Sequence, residues 1–509
     1  MKHFNTNKIF LIFGIFLLLN NSLCDSHTKD EWKSRTVYQL LTDRFAMTKD
    51  NDIVKCQFLN VTCGGTFKGI INHLDYIAGM GFDAIWISPP LKNKPGSYHG
   101  YHNIDINSIN ENFGTAQELK DLIKACHDKD IWVILDAVPN HMAGGLDIST
   151  FSPFNQAGHY HDANPPNIDC RAWDPYNATI IENCRIWDMP DLNQENAYVN
   201  KTLLDWLANT INNYGFDGVR YADVPNVPKW FWGNFTHVAQ TYSLGIVGVD
   251  SASEKDVKFI VDYQNYMDGV GNYPLYYKIR ENFCSTQHTG SMSDLNKFIQ
   301  NLQKYYLEPQ YMGIWLGNHD KERFLYQCPQ NSSLRNAIVF TFFFEGIPIF
   351  YYGDEQYFNG DKNNDNHREM LFGKYDTDSE IYQLLKKINE IRKKEKIYDY
   401  EFVRRYHDDN YYVFTRGNVL IAVGTGGTAG GSIVLNKHGF KEKDNLCNGL
   451  VENDCVSVVD NKISITMGDE PKIYIKQSAS NTKTINPNYT SSNYLNNYFW
   501  YLILSILLM

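Results

Sequence analysis

A chain of 509 residues is too long for one compact hydrophobic core, so its length predicts two or three folded units. Hydrophobic residues make up 43% and charged residues 21% of the chain, as in an ordinary globular protein. The formal net charge is −11, with no long run of Lys and Arg. Nucleic-acid binding requires clustered positive charge, so we exclude nucleic acid as a partner.

The first 24 residues have the pattern of a cleaved signal peptide. Lys2 and Lys8 flank the start of an apolar run over residues 9–19, and small residues around Leu23 suit cleavage after Cys24. The run is too short to span a bilayer, although an uncleaved anchor is the alternative. Sequons for N-glycosylation begin at Asn60, Asn177, Asn200, Asn234, Asn331 and Asn488. These features predict a protein of the secretory pathway, extracellular or at the cell surface.

Nine of the ten cysteines remain after cleavage, so at least one is unpaired. Cys126 lies in a helical pattern and is expected to be a free core residue. Proximity in the sequence predicts three disulfides, and elimination leaves the fourth: Cys56–Cys63, Cys170–Cys184, Cys447–Cys455 and Cys284–Cys328.

The C-terminal residues 478–509 join a polar spacer to an apolar tail of twelve residues. The tail is too short to span a membrane and is typical of a signal for lipid-anchor addition. A buried amphipathic tail is the alternative interpretation.

Between the two termini, apolar β-rich runs alternate with helical patterns, as in a parallel sheet with crossover helices. Seven runs are clear, near Val37, Ile85, Ile134, Val219, Ile246, Ile314 and Ile349, whereas an eighth within residues 263–280 is not. In a barrel, catalytic residues follow the carboxyl ends of the strands. Polar residues stand there in this chain, at Asn140, His141, Arg220 and residues 318–320.

The same pass along the chain predicts its domains. Residues 25–396 form the barrel, and residues 141–200 are an inserted subdomain because they lack periodicity and are too long for a loop. Residues 397–477 alternate apolar and polar side chains between Gly-rich turns, which predicts a small antiparallel β domain.

Four segments resemble, in order and spacing, the signatures of the α-amylase family, glycoside hydrolase family thirteen. They are DAVPNH at 136–141, GFDGVR at 215–220, NHDKERF at 318–324 and GIPIFYYGDEQ at 346–356. Residues 98–114 and 263–277 bring the resemblance closer to fungal-type α-amylases, over roughly residues 32–475. The resemblance implies a (β/α)8 TIM barrel with an inserted subdomain after strand 3, a C-terminal antiparallel β-sandwich, and a monomer that takes α-1,4-glucan or another oligosaccharide.

The resemblance also locates the catalytic positions. Retaining hydrolysis needs two carboxyl groups about 5–5.5 Å apart, a nucleophile and a general acid. In the family the nucleophile is an Asp two residues after Arg220, where this chain has Ala222. Asp223 follows, and strand alternation is expected to direct it away from Arg220 unless a bulge intervenes. Ile246 replaces the general acid, whereas Asp320 matches the third carboxylate.

Further positions are implied for sugar and metal. Residues matching those that line the sugar-binding end of the barrel are His99, Tyr101, His141, Arg220, His319 and Arg368. His102 stands where fungal-type relatives have Trp, so one stacking platform is lost. A Ca²⁺ site is implied at Asn140, Glu182, Asp191 and the backbone carbonyl of Asn226.

Three functions are compatible with these residues. The two substitutions favour a glucan-recognition protein that has lost hydrolysis. The alternatives are an active calcium-dependent α-amylase working through Asp223, and a surface interaction protein with a vestigial cleft.

Overall fold

The structure is a computed structural model that describes residues 27–49, 56, 59–172, 174–284, 290–427 and 430–477. The predicted signal peptide and the predicted anchor signal lie outside these residues. Within them, no helix is long and apolar enough to cross a membrane.

Eight parallel strands form the barrel that the sequence predicts. They are β1 Val37–Leu40, β2 Ala84–Ile87, β5 Trp132–Ala137, β6 Gly218–Tyr221, β7 Tyr242–Gly245, β8 Gly269–Val270, β9 Gly313–Ile314 and β10 Ile347–Tyr351. Their order is β8-β7-β6-β5-β2-β1-β10-β9, and a bridge between Gly271 and Gly313 brings the two edges of the sheet together. The barrel strands are buried throughout, which explains their continuous apolar sequence.

The seven predicted runs coincide with barrel strands, and β8 is the eighth. That strand has only two residues and no periodicity to detect. The run near Ile246 needs a correction in its bounds, because β7 ends at Gly245 and Ile246 begins the following loop.

Fourteen α-helices are found among the described residues, and most of them cover the outside of the barrel. They are α1 Lys29–Trp32, α2 Thr42–Phe45, α3 Phe67–Asn72, α4 Leu74–Gly79, α5 Ala116–His127, α6 Ala178–Ile181, α7 Ala197–Tyr214, α8 Lys229–Ala239, α9 Glu254–Asp262, α10 Tyr273–Phe283, α11 Met292–Leu302, α12 Phe324–Gln327, α13 Asn331–Phe343 and α14 Glu380–Lys394. The sequence sets the start of helix α5, since Thr115 and Glu118 form a capping box there.

Two long connections rise above the carboxyl ends of the strands. A hairpin of β3 Leu91–Asn93 and β4 Asn103–Ile109 follows β2, and a long segment with little regular structure joins β5 to α7. The Cys170–Cys184 disulfide crosslinks that segment. All four predicted disulfides are confirmed, and Cys126 is free and buried.

The C-terminal part is antiparallel, as predicted. Its strands are β11 Val403–His407, β12 Tyr411–Arg416, β13 Val419–Gly424, β14 Gly431–Leu435, β15 Asn445–Asn448, β16 Cys455–Ser457, β17 Ile463–Met467 and β18 Lys472–Lys476. Six of them form one sheet, and β14 pairs with β17 in a second sheet. Side chains of both sheets form an apolar core separate from that of the barrel. Asn336 on α13 accepts a hydrogen bond from the Gly424 amide at 2.8 Å and ties this sheet to the barrel.

Candidate active site

A cavity of about 660 Å³ opens at the carboxyl ends of the barrel strands. We call it the cleft. The seven polar residues expected at this end of the barrel all line it: His99, Tyr101, His141, Arg220, His319, Asp320 and Arg368. Arg220 stands in strand β6 and the other six stand on four separate loops, so the barrel topology brings them together.

The floor of the cleft is built on a buried ion pair. Arg220 donates to Asp136 Oδ1 at 2.8 Å, while Tyr101 and Trp86 donate to Oδ2 at 2.6 and 2.9 Å. Burial raises the pKa of Asp136, and the positive charge of Arg220 opposes that shift. Arg220 Nε–H has no partner among the described residues, which leaves one donor of the guanidinium unsatisfied beneath the cleft.

Asp320 is held in its ionised form at the opposite wall. Its carboxylate is 43% exposed to the cleft and lies 3.6 Å from Arg368 and 3.4 Å from His319 Nε2. Burial favours a higher pKa for Asp320, but His319, Arg368 and Arg220 face it and lower the pKa. Gln39 donates to His319 Nδ1 at 2.7 Å, which leaves the Nε2–H of the neutral imidazole directed at Asp320.

Asp223 lies in the cleft, which corrects the expectation that strand alternation turns it away. Strand β6 ends at Tyr221, and Ala222 makes a further backbone bond to Ala137. Asp223 then adopts the left-handed conformation, with φ 50° and ψ 41°, so the alternation of a strand no longer applies. Its carboxylate lines the cleft beside Ala222, and Oδ2 is 3.5 Å from His141 Nδ1.

Ile246 occupies the loop immediately beside Asp223. Its amide donates to Tyr221 O at 3.0 Å and its carbonyl accepts from Val224 N at 3.3 Å. The side chain is 8% exposed and packs close to Gly271, at the base of a pocket that it shares with Arg220 and Asp320. The carboxylates among the described residues that line the cleft are Asp223, Asp320 and Asp365. No glutamate lines the cleft in the described part of the chain to replace a general acid at Ile246.

The Asn140 side chain lies where the sequence predicts a cation, between Asp191 and the backbone of Asn226. Its amide nitrogen donates to Asp191 Oδ1 at 3.1 Å and to the carbonyl oxygen of Asn226 at 2.9 Å, and its oxygen accepts from His141 Nδ1 at 3.2 Å. His141 Nε2 lies 3.0 Å from the Tyr101 carbonyl oxygen. Turning the Asn140 amide over would present three oxygens to one point, and carboxylate, amide and backbone carbonyl oxygens are ligands that Ca²⁺ takes.

The fourth predicted ligand, Glu182, is half-buried at the end of α6. Burial and the nearby Glu195 raise its pKa, so a cation would relieve an unfavourable charge there. Asn226 donates to the carbonyl of Ile181, the residue before Glu182, at 3.1 Å. His161 holds the second oxygen of Asp191 at 2.8 Å, leaving Oδ1 for the converging group.

The cleft residues that the sequence did not predict include Lys94, Trp187 and Asp365. Lys94 donates to the Gly144 carbonyl at 2.9 Å, and Tyr98 donates to Asp365 at 2.5 Å. They lie on irregular loops, where neither hydrophobic period nor family signature marks a position as facing the cleft.

Comparison with known proteins agrees with this geometry. The family model described as the alpha amylase catalytic domain matches residues 39–373. Alpha-amylase 1 of Schwanniomyces occidentalis is 34% identical over 484 residues, covering 89% of this chain and 91% of that protein. The alpha-amylase of Saccharomycopsis fibuligera is 33% identical over 469 residues, covering 88% and 92%. A barrel with this cleft and this match defines a glycoside hydrolase fold, and the chain belongs to the alpha-amylase family.

Solved structures extend the similarity to the whole architecture. An alpha-amylase from Malbranchea cinnamomea superposes with a TM-score of 0.81 at 29% identity, covering 88% of this chain and 97% of that one. An alpha-amylase from Geobacillus thermoleovorans, complexed with acarbose, superposes with a TM-score of 0.78 at 29% identity, covering 88% and 99%. The matched length includes the C-terminal β domain as well as the barrel.

Proposed function

We propose that this protein binds α-1,4-linked glucans in the cleft and hydrolyses them slowly, with Asp223 as the nucleophile. The observation that carries the proposal is the left-handed backbone at Asp223, which brings a carboxylate into the cleft beside Ala222. The similarity to alpha-amylases, one of them complexed with acarbose, supports an oligosaccharide as the ligand. This proposal takes the active-enzyme alternative over the inactive one favoured by the sequence.

Each side chain has a step in the proposed hydrolysis of the glycosidic bond. Asp223 attacks the anomeric carbon and forms a glycosyl ester, while the glycosidic bond breaks and its oxygen departs with the leaving sugar. Asp320 stabilises the positive charge that develops on the sugar ring. The leaving oxygen takes its proton from water, since Ile246 has none to give. Water then hydrolyses the ester, which releases the sugar, restores the Asp223 carboxylate and frees a proton that neutralises the hydroxide left by the first step.

The missing acid sets the rate. General-acid help is worth about 10²- to 10⁴-fold, so the natural substrate is cleaved slower by about that factor than in an enzyme with the acid in place. A leaving group that needs no proton, such as fluoride or an acidic phenol, avoids this loss.

A calcium ion completes the proposed site. Asn140, Asp191 and the Asn226 carbonyl would hold it, with Glu182 close by, and the ion would supply a structural clamp between the inserted segment and the barrel. The convergence of the Asn140 side chain on Asp191 Oδ1 and the Asn226 carbonyl oxygen supports this assignment, which requires the Asn140 amide to turn its oxygen toward them. The clamp bears on the cleft, since His141 next to Asn140 contacts Asp223.

One observation favours a second candidate function, glucan recognition without turnover. Ile246 is buried and apolar at the position of the acid, and the sugar-lining residues are retained around it. This candidate and the first differ in one measurable property, the release of reducing ends from a bound glucan.

We further propose that the protein is extracellular or at the cell surface. Four disulfides within the described residues support an oxidising compartment. The lipid anchor predicted for residues 478–509 stays a prediction. Release of the protein from intact cells by a phosphatidylinositol-specific phospholipase would support it, and retention would contradict it.

The proposal is tested by turnover of soluble starch in the presence of Ca²⁺, comparing the unaltered protein with Asp223→Asn. We expect slow endo-hydrolysis by the unaltered protein and loss of at least about 10³-fold in Asp223→Asn, because the amide cannot form the ester. Binding of maltoheptaose, measured by calorimetry, should be similar in both. Binding with no turnover by the unaltered protein would select the second candidate, and absence of both would refute each of them.

A further inference from the structure

An exposed tryptophan stands at the rim of the cleft. The side chain of Trp187 is 81% exposed, yet it lines the cleft together with His102 and Met189. Its φ of 56° lies in the left-handed region, which bulky residues rarely adopt. In the part of the chain that the structure describes, the indole has no hydrogen-bond or aromatic partner. Strain of this kind at an exposed aromatic residue points to a ligand.

The segment that carries Trp187 is fixed on both sides. Cys184 before it is in the disulfide with Cys170, and Met189 after it is buried with 6% exposure. Asp188 packs so closely against Gly144 that a Cβ atom at residue 144 would lie 2.2 Å from Asp188 Oδ1 and would clash with it. The indole is therefore presented on a rigid segment, so little conformational entropy is lost when a ligand packs on it.

The cleft that Trp187 lines also contains the position where an aromatic platform is absent, at His102. His102 stands where fungal-type relatives carry Trp, and its ring presents a smaller stacking surface than an indole. Trp187 therefore supplies to the same cleft the indole face that His102 lacks.

We propose that Trp187 is the stacking platform for a glucosyl ring of the bound α-glucan, replacing from the inserted segment the aromatic face missing at His102. The C–H face of a pyranose is apolar and packs on an indole, while its hydroxyls remain in water at the rim. This inference rests on the proposed function because it requires an α-glucan in the cleft.

The test is the Kd of maltoheptaose for the full chain, measured by calorimetry with Ca²⁺ present. Trp187→Ala should raise the Kd about ten-fold, and Trp187→Phe, which keeps an aromatic face, should raise it less. Trp230→Ala is the matched control, since Trp230 is 45% exposed on α8 and does not line the cleft. Restoring a platform with His102→Trp in the Trp187→Ala background should recover part of the affinity.

The outcomes separate the two claims. An unchanged Kd in Trp187→Ala, with the unaltered chain binding maltoheptaose, would overturn the role of Trp187 and leave the proposed function standing. An equal loss in Trp230→Ala would also overturn it, because the effect would not be local. If the unaltered chain bound no maltoheptaose, both the proposed function and this inference would fail.

Discussion

Replacing Ile246 with Glu should convert a slow hydrolase into a fast one. Ile246 borders the same pocket as Asp223, Arg220 and Asp320, so a carboxyl group there reaches the space between nucleophile and leaving group. The apolar contacts around it would keep that carboxyl protonated near neutral pH, as a general acid requires. We expect the rate on starch to rise about 10²- to 10⁴-fold, which corresponds to about 3–5 kcal/mol of the barrier.

The assay includes two comparisons that isolate the proton. Ile246→Gln has the size and polarity of Glu without a titrating proton and should leave the rate on starch near that of the unaltered protein. An aryl maltoside with an acidic phenol should gain little from Ile246→Glu, because its leaving group departs as an anion. Both variants bury a polar group in place of an apolar one and should lose about 2 kcal/mol of stability.

The role of a missing proton donor at Ile246 is refuted if Ile246→Glu folds and binds maltoheptaose but cleaves starch no faster than Ile246→Gln. It is also refuted if both variants accelerate starch cleavage equally, since added water in the pocket would then explain the gain.

Three other perturbations follow from the contacts. Arg220→Met should lower the free energy of unfolding by about 3–5 kcal/mol, because it leaves Asp136 buried without its partner, and denaturant unfolding would check this. Chelation of Ca²⁺ should lower the Tm of the unaltered protein but should leave the Tm of Asp191→Ala unchanged. The loss corresponds to about 2.7 kcal/mol of stability if calcium was present at a hundred times its Kd. The hydrogen bond to Asp217 raises the pKa of His127 above 6.5 in the folded state. His127→Gln should therefore cost less than about 1 kcal/mol below pH 6.5 and nothing well above the folded pKa.

Each of these has a contradicting result. An Arg220→Met variant as stable as the unaltered chain would deny the buried ion pair, and a Tm insensitive to chelation would deny the cation. A His127→Gln penalty that grew with pH would reverse the sign derived from its bond to Asp217.

The barrel could be predicted from the sequence because strands buried on both faces leave continuous apolar runs. Strand β8 could not be predicted, because it has only two residues and these are too few to show a pattern in the sequence. His141, Arg220 and residues 318–320 could be predicted because they stand at or after the carboxyl ends of strands. The remaining polar residues of the cleft, His99, Tyr101 and Arg368, were located by the resemblance to the family.

Asp223 shows why the catalytic positions were harder to predict. Alternation describes a residue inside a strand, and the sequence gives no sign that β6 ends one residue before Ala222. The left-handed φ at Asp223 is followed at once by a turn in which Val224 donates a backbone hydrogen bond to Ile246, a contact between residues distant in the sequence. Trp187 was missed because loop residues carry no period that would mark which of them face a cavity.

The most direct test of Asp223 as the nucleophile is to trap the glycosyl ester. The protein would be incubated with 5-fluoro-α-maltosyl fluoride, whose leaving group needs no general acid, then digested and examined by mass spectrometry. We predict a sugar adduct on the peptide containing Asp223, and no adduct in Asp223→Asn. An adduct on another residue, or none on a protein that binds maltoheptaose, would contradict it.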